Sequence, residues 1–156
     1  MIQRDLNFDS LDDILTEVQA LSAGRCSAEG NWTPAENVDH VAKSIGFTVH
    51  GFPEGKAPVL QKLLFTTVFK LMSRKLLSMK LKPGLKFPGG LQYFAPEPGV
   101  AWDEAVRRLE QNIADAKTHK MTHPSPVAGR LTHEQWTLLH CRHAELHLGL
   151  IHPSDV

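Results

Sequence analysis

The sequence contains few of the residues that mark a secreted or membrane-embedded protein. Cys26 and Cys141 are its two cysteines, too few for a disulfide framework in a chain of 156 residues, so we expect both to be free thiols. No run of 18 or more apolar residues is present, and the N-terminal residues MIQRDLNFDSLDD lack the basic and then apolar pattern of a secretory leader. These absences predict a soluble, unprocessed, cytoplasmic protein.

Motifs for nucleotide binding and for serine hydrolases are also missing. The chain has neither a GxGxxG nor a GK[ST] phosphate-binding pattern, and it has no GxSxG nucleophile elbow. Its formal net charge is zero, but eight basic residues and no acidic one lie between Lys56 and Lys86, so the other segments together carry minus eight. Such a segment can attract an anionic ligand or simply face solvent. We expect neither a nucleic acid nor a membrane surface as its partner.

The sequence does contain a series of amphipathic helical segments. Apolar residues at helical spacing predict helices over residues 10–23, Pro34–His50, Ala101–Thr118 and Leu131–Leu150. Thr33 and Thr132 each precede a helix and have Glu or Gln three residues later, which is the capping-box pattern. The prediction is a single all-α domain over residues 1–156.

Two further segments lie between the second of these helices and the third. Residues 57–81 are apolar over more than half of a helical circumference, which predicts an additional helix that is buried or covered by a partner subunit in a homodimer. Residues Lys82–Gly99 contain four prolines and four glycines. A loop of this length is either a lid or binding segment, or a crossover that spans the length of a bundle.

The last predicted helix carries His140, His143 and His147. At about 100° per residue, the latter two lie in an apolar stripe roughly 100° wide, whose other members are Trp136, Leu139, Leu146 and Leu150. Two buried imidazoles four residues apart satisfy each other's polar atoms poorly, whereas one metal ion would satisfy both. The stripe therefore predicts either a pair of metal ligands or hydrogen-bonded core histidines.

Other residues near the histidine pair exclude two catalytic arrangements. A zincin protease needs Glu directly after the first His, but the pentapeptide here is HAELH, and Glu145 lies about 160–200° around the helix from the two imidazoles. Cys141 also points away from the histidine face, which excludes a Cys–His nucleophilic pair within the helix. His119 and His123 have no partner at metal-ligand spacing, and we expect them to be exposed.

A metal site would need a third ligand from another helix. The candidates are His40, His140 and the carboxylates of Asp39 and Glu36, and sequence spacing does not choose among them. On a helical wheel His40 lies about 100° from the apolar residue Val41. Either the second helix is buried on two sides, or His40 lies on the surface.

Two stretches, WTPAENVDHVAKSI at Trp32–Ile45 and LTHEQWTLLHCRHAELHLGLI at Leu131–Ile151, resemble the DinB/YfiT-like superfamily of four-helix metalloproteins. In that family a His on the second helix joins an HxxxH pair on the last helix. The resemblance places His40 at the first position and His143 and His147 at the pair. It implies a DinB/YfiT-like four-helix bundle, with the helix at about 57–81 as an insertion and residues 82–99 as a long Pro/Gly-rich crossover loop. His140 is then an extra histidine, either a group that supports the ligands or a surface residue.

The resemblance also implies a chemistry. The chain resembles a branch of the superfamily whose function is unknown. The resemblance implies a metal-dependent enzyme that uses one divalent transition metal ion, with zinc as the first choice and nickel or iron(II) as alternatives. Characterised members of the superfamily are S-transferases and isomerases that act on small-molecule substrates with low-molecular-weight thiols such as bacillithiol, mycothiol or glutathione. The basic segment 56–86 could attract the carboxylates of such a thiol. The open alternatives are a metal-dependent hydrolase, a metal-binding protein without turnover, and a helical dimerisation protein.

Overall fold

The computed structural model describes residues 2–22, 25–53, 79–81, 92–125 and 129–154. Within these ranges the chain forms four α-helices, which are α1 (Leu11–Ser22), α2 (Pro34–His50), α3 (Trp102–Thr118) and α4 (His133–Leu148). The predominantly helical prediction is therefore confirmed. The predicted helix at 57–81 lies outside the described residues except for 79–81, which are not helical. Residues 82–91 of the crossover loop also lie outside them, and the homodimer that rests on 57–81 stays a prediction.

Two short strands were not predicted. Strand β1 (Cys26–Ala28) follows α1, and strand β2 (Ile151–Pro153) follows α4. They pair antiparallel, with Ser27 opposite His152. The sheet joins the segment after α1 to the segment after α4. At three residues each, these strands are too short to give the alternating apolar pattern that reveals a strand in sequence.

Local capping explains where α2 and α4 begin. The Thr33 hydroxyl accepts a hydrogen bond from the Glu36 amide, and the Glu36 carboxylate accepts one from the Thr33 amide. Thr132 and Gln135 make the same reciprocal pair at α4. Both predicted capping boxes are confirmed. Pro34 occupies the first turn of α2, where a backbone N–H would have no partner within the helix, so the lack of one in proline costs nothing.

The core lies between the four helices. Its buried apolar residues include Ile14 and Val18 on α1, Val38, Val41 and Ile45 on α2, Leu109 and Ile113 on α3, and Ala144 and Leu148 on α4. Helices α2 and α3 approach closely at Gly46, where an added Cβ would lie 2.7 Å from Nδ2 of Asn112. The Asn112 amide in turn donates a hydrogen bond to the Ala42 carbonyl at 2.8 Å, which ties the two helices together. No helix among the described ranges combines the length and the apolar character that crossing a membrane requires.

Helix α4 differs from its predicted amphipathic pattern. Leu139 and Leu146 are only half-buried, and the core side is formed instead by residues such as Cys141, Ala144 and Leu148. The neighbouring side of the helix, which carries Arg142 and Glu145, is also covered, because the backbone of Phe8 hydrogen-bonds to both side chains. A helix buried on two sides has no single apolar stripe, and for this reason the wheel misplaced its core face.

Candidate metal centre

Three histidines from two helices converge at one point between α2 and α4. His40 comes from α2, and His143 and His147 come from successive turns of α4. One ring nitrogen from each of the three residues lies within 4.8 Å of the other two, and the Nε2 atoms of His40 and His143 are 3.1 Å apart. Tetrahedral zinc with bonds of about 2.0–2.1 Å would separate neighbouring nitrogen ligands by about 3.3 Å. This cluster, called here the histidine centre, is compatible with a metal site.

His40 is buried, with 8% of its surface exposed, so the surface alternative is wrong. One side of α2 faces the core, and the other is covered by the crossover segment at a 3-10 helix, Gln92–Phe94. The Nδ1–H group of His40 donates to the Phe94 carbonyl at 2.5 Å. Because the carbonyl can only accept, this bond places the proton on Nδ1 and leaves the lone pair of Nε2 directed at His143.

His147 is held by a side chain rather than by the main chain. Its Nδ1 atom lies 3.3 Å from Oδ1 of Asn37, which is one turn before His40 on α2. The indole of Trp32 stacks on the His147 ring at 5.5 Å with an interplanar angle of 24°, and it also contacts the His40 ring at 4.8 Å. Trp32 therefore covers one side of the histidine centre.

The electrostatic environment keeps the three rings neutral. Burial, with a smaller contribution from the nearby His40, lowers the pKa of His147 to about 3. Burial also lowers the pKa of His143 well below its ordinary value, with added repulsion from the other histidines. Burial is likewise the main reason that the pKa of His40 is lowered. At neutral pH each ring therefore carries a lone pair, which is the form that binds a metal ion.

His140 does not belong to the cluster of three. It is buried, with 4% exposed, so its surface alternative is wrong. Its Nε2 atom lies 3.2 Å from the Thr48 hydroxyl, and its ring stacks on Trp136 with an interplanar angle of 15°. Burial lowers the pKa of His140 to about 3. It is thus a neutral, hydrogen-bonded core histidine beside the histidine centre.

Asp39, one of the two carboxylate candidates for the third ligand, is engaged in ion pairs and a hydrogen bond instead. It is fully buried and forms ion pairs with Arg108 and with Lys43, the latter at 3.1 Å. It also accepts a hydrogen bond from the Glu97 amide at 2.7 Å. Arg108 turns toward this buried carboxylate and also pairs with Glu97, so it connects α3 and the crossover segment to α2.

Glu36 is committed as well. Besides closing the capping box, it accepts a hydrogen bond from the Gly99 amide at 3.1 Å. Lys43 reaches the Ala95 carbonyl from the same helix at 3.3 Å. These contacts dock residues 94–99 along α2, and both interpretations of the long loop stay predictions. The docking also places the Phe94 carbonyl against His40.

The two residues that excluded other catalytic arrangements lie as expected. Glu145 is turned away from the histidine centre, where it pairs with Arg142 at 2.9 Å and accepts a hydrogen bond from the Phe8 amide at 2.7 Å. Cys141 is a free, buried thiol, and burial raises its pKa to about 11, so it is protonated at neutral pH. His119 and His123 are exposed, as predicted.

The sequence interpretation missed Trp32, Asn37 and the Phe94 carbonyl as parts of this site. Asn37 did carry a signal, because it lies three residues before His40 on the same helix and a helical residue shares a face with the residue three positions on. The Phe94 carbonyl carried none, since every residue has one. Its role depends entirely on how the crossover segment docks.

Comparison with known proteins gives one match. A family model described as "Protein of unknown function (DUF1569)" matches residues 1–154. No curated protein and no solved structure matches the chain. The resemblance to the DinB/YfiT-like superfamily is not tested by these comparisons and stays a prediction. Because the family model covers almost the whole chain, this protein belongs to the DUF1569 family, whose function is unknown.

Proposed function

We propose that this protein is a metal-dependent enzyme of the DinB/YfiT-like type, in which His40, His143 and His147 bind one divalent transition metal ion. Zinc is the metal we favour, with nickel and iron(II) as alternatives, because neutral imidazoles suit all three. The observation that carries the proposal is the convergence of one ring nitrogen from each histidine within 4.8 Å. Three ligands with an open fourth position are the pattern of catalytic rather than structural zinc.

The surroundings of the three rings support a metal site over a packed core. Two of the rings have an acceptor on Nδ1, the Phe94 carbonyl for His40 and the Asn37 carbonyl for His147. Metal-ligating histidines usually donate their second N–H group to such an acceptor, which fixes the ring and its tautomer. Core histidines without a metal would instead direct their remaining lone pairs at polar hydrogens. Here the lone pair of His40 Nε2 points at another imidazole nitrogen, Nε2 of His143, at 3.1 Å.

The charges around the centre favour an anionic ligand at the fourth position. Three neutral imidazoles leave the charge of a divalent ion uncompensated, and Asp39, Glu36 and Glu145 are each engaged in other contacts. When bound, the metal ion would lower the pKa of a thiol or water at that position. Trp32 and the docked crossover segment would restrict the access of water from their side.

This arrangement fits a reaction that needs an ionised thiol better than one that needs a protein base. Hydrolysis needs a general base near the attacking water. The carboxylates considered for this role or as ligands, those of Asp39, Glu36 and Glu145, each contact other groups in the structure. We therefore propose an S-transferase or isomerase that uses a low-molecular-weight thiol and a small-molecule substrate. Hydrolysis, metal binding without turnover and dimerisation alone are the alternative outcomes of the test below.

The first test is the metal content of protein purified without an affinity tag. We expect about one equivalent of zinc, nickel or iron per chain in the wild type after reconstitution, and almost none in His143→Ala. His119→Ala is the matched control, because His119 is exposed at the end of α3, outside the cluster of three, and its loss should leave the metal content unchanged. A wild type with only a small fraction of an equivalent contradicts the metal site.

The second test separates the thiol chemistry from simple binding. In cobalt-substituted protein, sulfur binding produces an intense thiolate-to-cobalt charge-transfer band. We expect glutathione or a comparable thiol to produce this band in the wild type. A cobalt spectrum that no thiol alters would contradict the transferase proposal and favour hydrolysis or metal binding alone.

A further inference from the structure

The Asn37 side chain has a hydrogen-bond arrangement that permits only one orientation. The residue is almost fully buried, with 1% exposed. Its Nδ2 atom donates to two carbonyls, that of Thr33 at 3.0 Å and that of Trp32 at 3.4 Å. Because only the NH2 group of an amide can donate to carbonyls, Nδ2 and Oδ1 cannot exchange places. Oδ1 is therefore the atom that faces His147.

This fixed amide decides which nitrogen of His147 carries the proton. Oδ1 has no proton to donate, so Nδ1 of His147, 3.3 Å away, must be the donor. In a neutral imidazole the other nitrogen, Nε2, then holds the lone pair. We infer that Asn37 is the positioning residue of the histidine centre and holds His147 in the tautomer that can bind a metal ion through Nε2. Its effect on metal affinity rests on the proposed function, whereas the tautomer is a property of the metal-free protein.

The orientation of Asn37 is in turn set by the start of α2. The Thr33 carbonyl accepts both the backbone N–H of Asn37, at 3.1 Å, and its side-chain NH2 group. Thr33 is also the N-cap whose capping box with Glu36 fixes the first turn. The first turn of α2 thus positions a ligand on α4. His40 is held by the same kind of bond, with the Phe94 carbonyl as acceptor.

The test compares two substitutions of Asn37, one that removes the whole amide and one that removes only its NH2 donors. Asn37→Leu removes the acceptor and the donors, and we expect His147 to lose its Nδ1–H tautomer and zinc affinity to fall about 10- to 100-fold. Asn37→Asp keeps an acceptor toward Nδ1 but loses the donors to Thr33 and Trp32. We expect it to be less stable, yet to retain the tautomer and to bind zinc within about threefold of the wild type.

The readouts are nitrogen-15 NMR of the histidine rings in metal-free protein and a zinc competition titration. Long-range proton–nitrogen correlations identify which ring nitrogen carries hydrogen. Asn112→Leu is the matched control, since Asn112 is a partly buried asparagine whose amide donates to Ala42 on α2. It should lose stability while leaving the His147 tautomer and the zinc affinity unchanged.

Three results would overturn the inference. The wild type could carry hydrogen on Nε2 of His147, Asn37→Leu could leave the tautomer unchanged, or Asn37→Leu and Asn112→Leu could lower zinc affinity equally. If Asn37→Leu does not fold, the spectra of the wild type and Asn37→Asp still decide the tautomer. Failure of the wild type to bind zinc would contradict the proposed function, and the metal-free spectra would still decide the role of Asn37.

Discussion

Helix α4 buries polar side chains on two of its sides, and the contacts that offset their burial differ between the two sides. On one side Arg142 and Glu145 form an ion pair at 2.9 Å, and the backbone of Phe8 donates to the carboxylate and accepts from the guanidinium. On the other side the histidine centre collects three neutral imidazoles, with one ring nitrogen of each within 4.8 Å of the other two. The first side balances its charges within the protein, because a guanidinium and a carboxylate form an ion pair there. The second contains neutral bases without a counter-charge, which is compatible with a metal site.

This difference separates fold stability from ligand binding along one helix. Removing a member of the ion pair should unfold the protein without changing which ligands the histidine centre binds. Removing a histidine should abolish binding with little effect on the metal-free fold.

Substitution of His40 should be the most damaging to the histidine centre. His40→Ala removes the ligand that α2 contributes, and two imidazoles from one helix hold a divalent ion far more weakly than three. We expect no stoichiometric zinc binding at micromolar concentrations in a competition titration. His50→Ala, an exposed position at the end of the same helix, is the control and should bind as the wild type does. Equal binding by His40→Ala and the wild type would show that α2 provides no ligand.

Substitution of Glu145 should have the largest effect on stability. Glu145→Ala leaves the Arg142 guanidinium, 9% exposed, without its counter-charge, at a cost of about 3–5 kcal/mol. Urea unfolding of the metal-free protein measures this loss. Glu110→Ala on the exposed face of α3 should change stability by less than about 0.5 kcal/mol. Loss of zinc binding in the folded fraction of Glu145→Ala would break the proposed separation of the two sides.

Acid should destabilise the histidine side specifically. Burial lowers the pKa of His140 from 6.5 to about 3, so below pH 6.5 the unfolded chain takes up a proton that the folded protein does not. Stability is therefore lost as pH falls from 6.5 toward 3, by about 1.4 kcal/mol per pH unit for one such group. His140→Phe should remove about 2 kcal/mol of the acid-induced loss between about pH 6.5 and 5.

Urea unfolding of the metal-free proteins at several pH values measures this difference. The sign of the effect is specific, since a histidine that gained an anionic partner on folding would make the protein more stable in acid. An identical pH dependence in the wild type and His140→Phe would show that His140 is protonated in the folded state as well.

The two capping boxes should give the smallest effects. Thr132→Ala and Thr33→Ala each remove one N-cap and should cost about 1 kcal/mol in urea unfolding. Only Thr33 begins the turn that orients Asn37, so Thr33→Ala should also weaken zinc binding, by about two- to fivefold. Equal zinc affinities in the two variants would mean that the first turn of α2 does not influence the histidine centre.

Features that depend on a few neighbouring residues could be predicted from the sequence. Both capping boxes are local patterns, and they gave the starts of α2 and α4 within two residues. The i, i+4 spacing of His143 and His147 also gave their common face, because helical geometry alone determines it. The exclusion of a zincin followed from the same geometry, and Glu145 does turn to the other side.

Features that depend on distant segments could not be predicted. Periodicity left His40 undecided because the segment that buries it, at Phe94, lies 54 residues further along the chain. The core face of α4 was misplaced because the N-terminal residues around Phe8 cover a side that a wheel treats as solvent-exposed. The ion pair of Arg108 has no local sequence signal, because its partner, Asp39, is on another helix. In each case the missing information was tertiary.

The most direct test of the central claim is X-ray absorption spectroscopy of the zinc-loaded, tag-free protein. We expect three imidazole ligands with zinc–nitrogen distances of about 2.0–2.1 Å and one further light atom, which a thiol replaces with sulfur. His40→Ala should reduce the imidazole count or lose the metal. A first shell composed mainly of oxygen atoms, or one that contains protein sulfur without added thiol, would contradict a site formed by His40, His143 and His147.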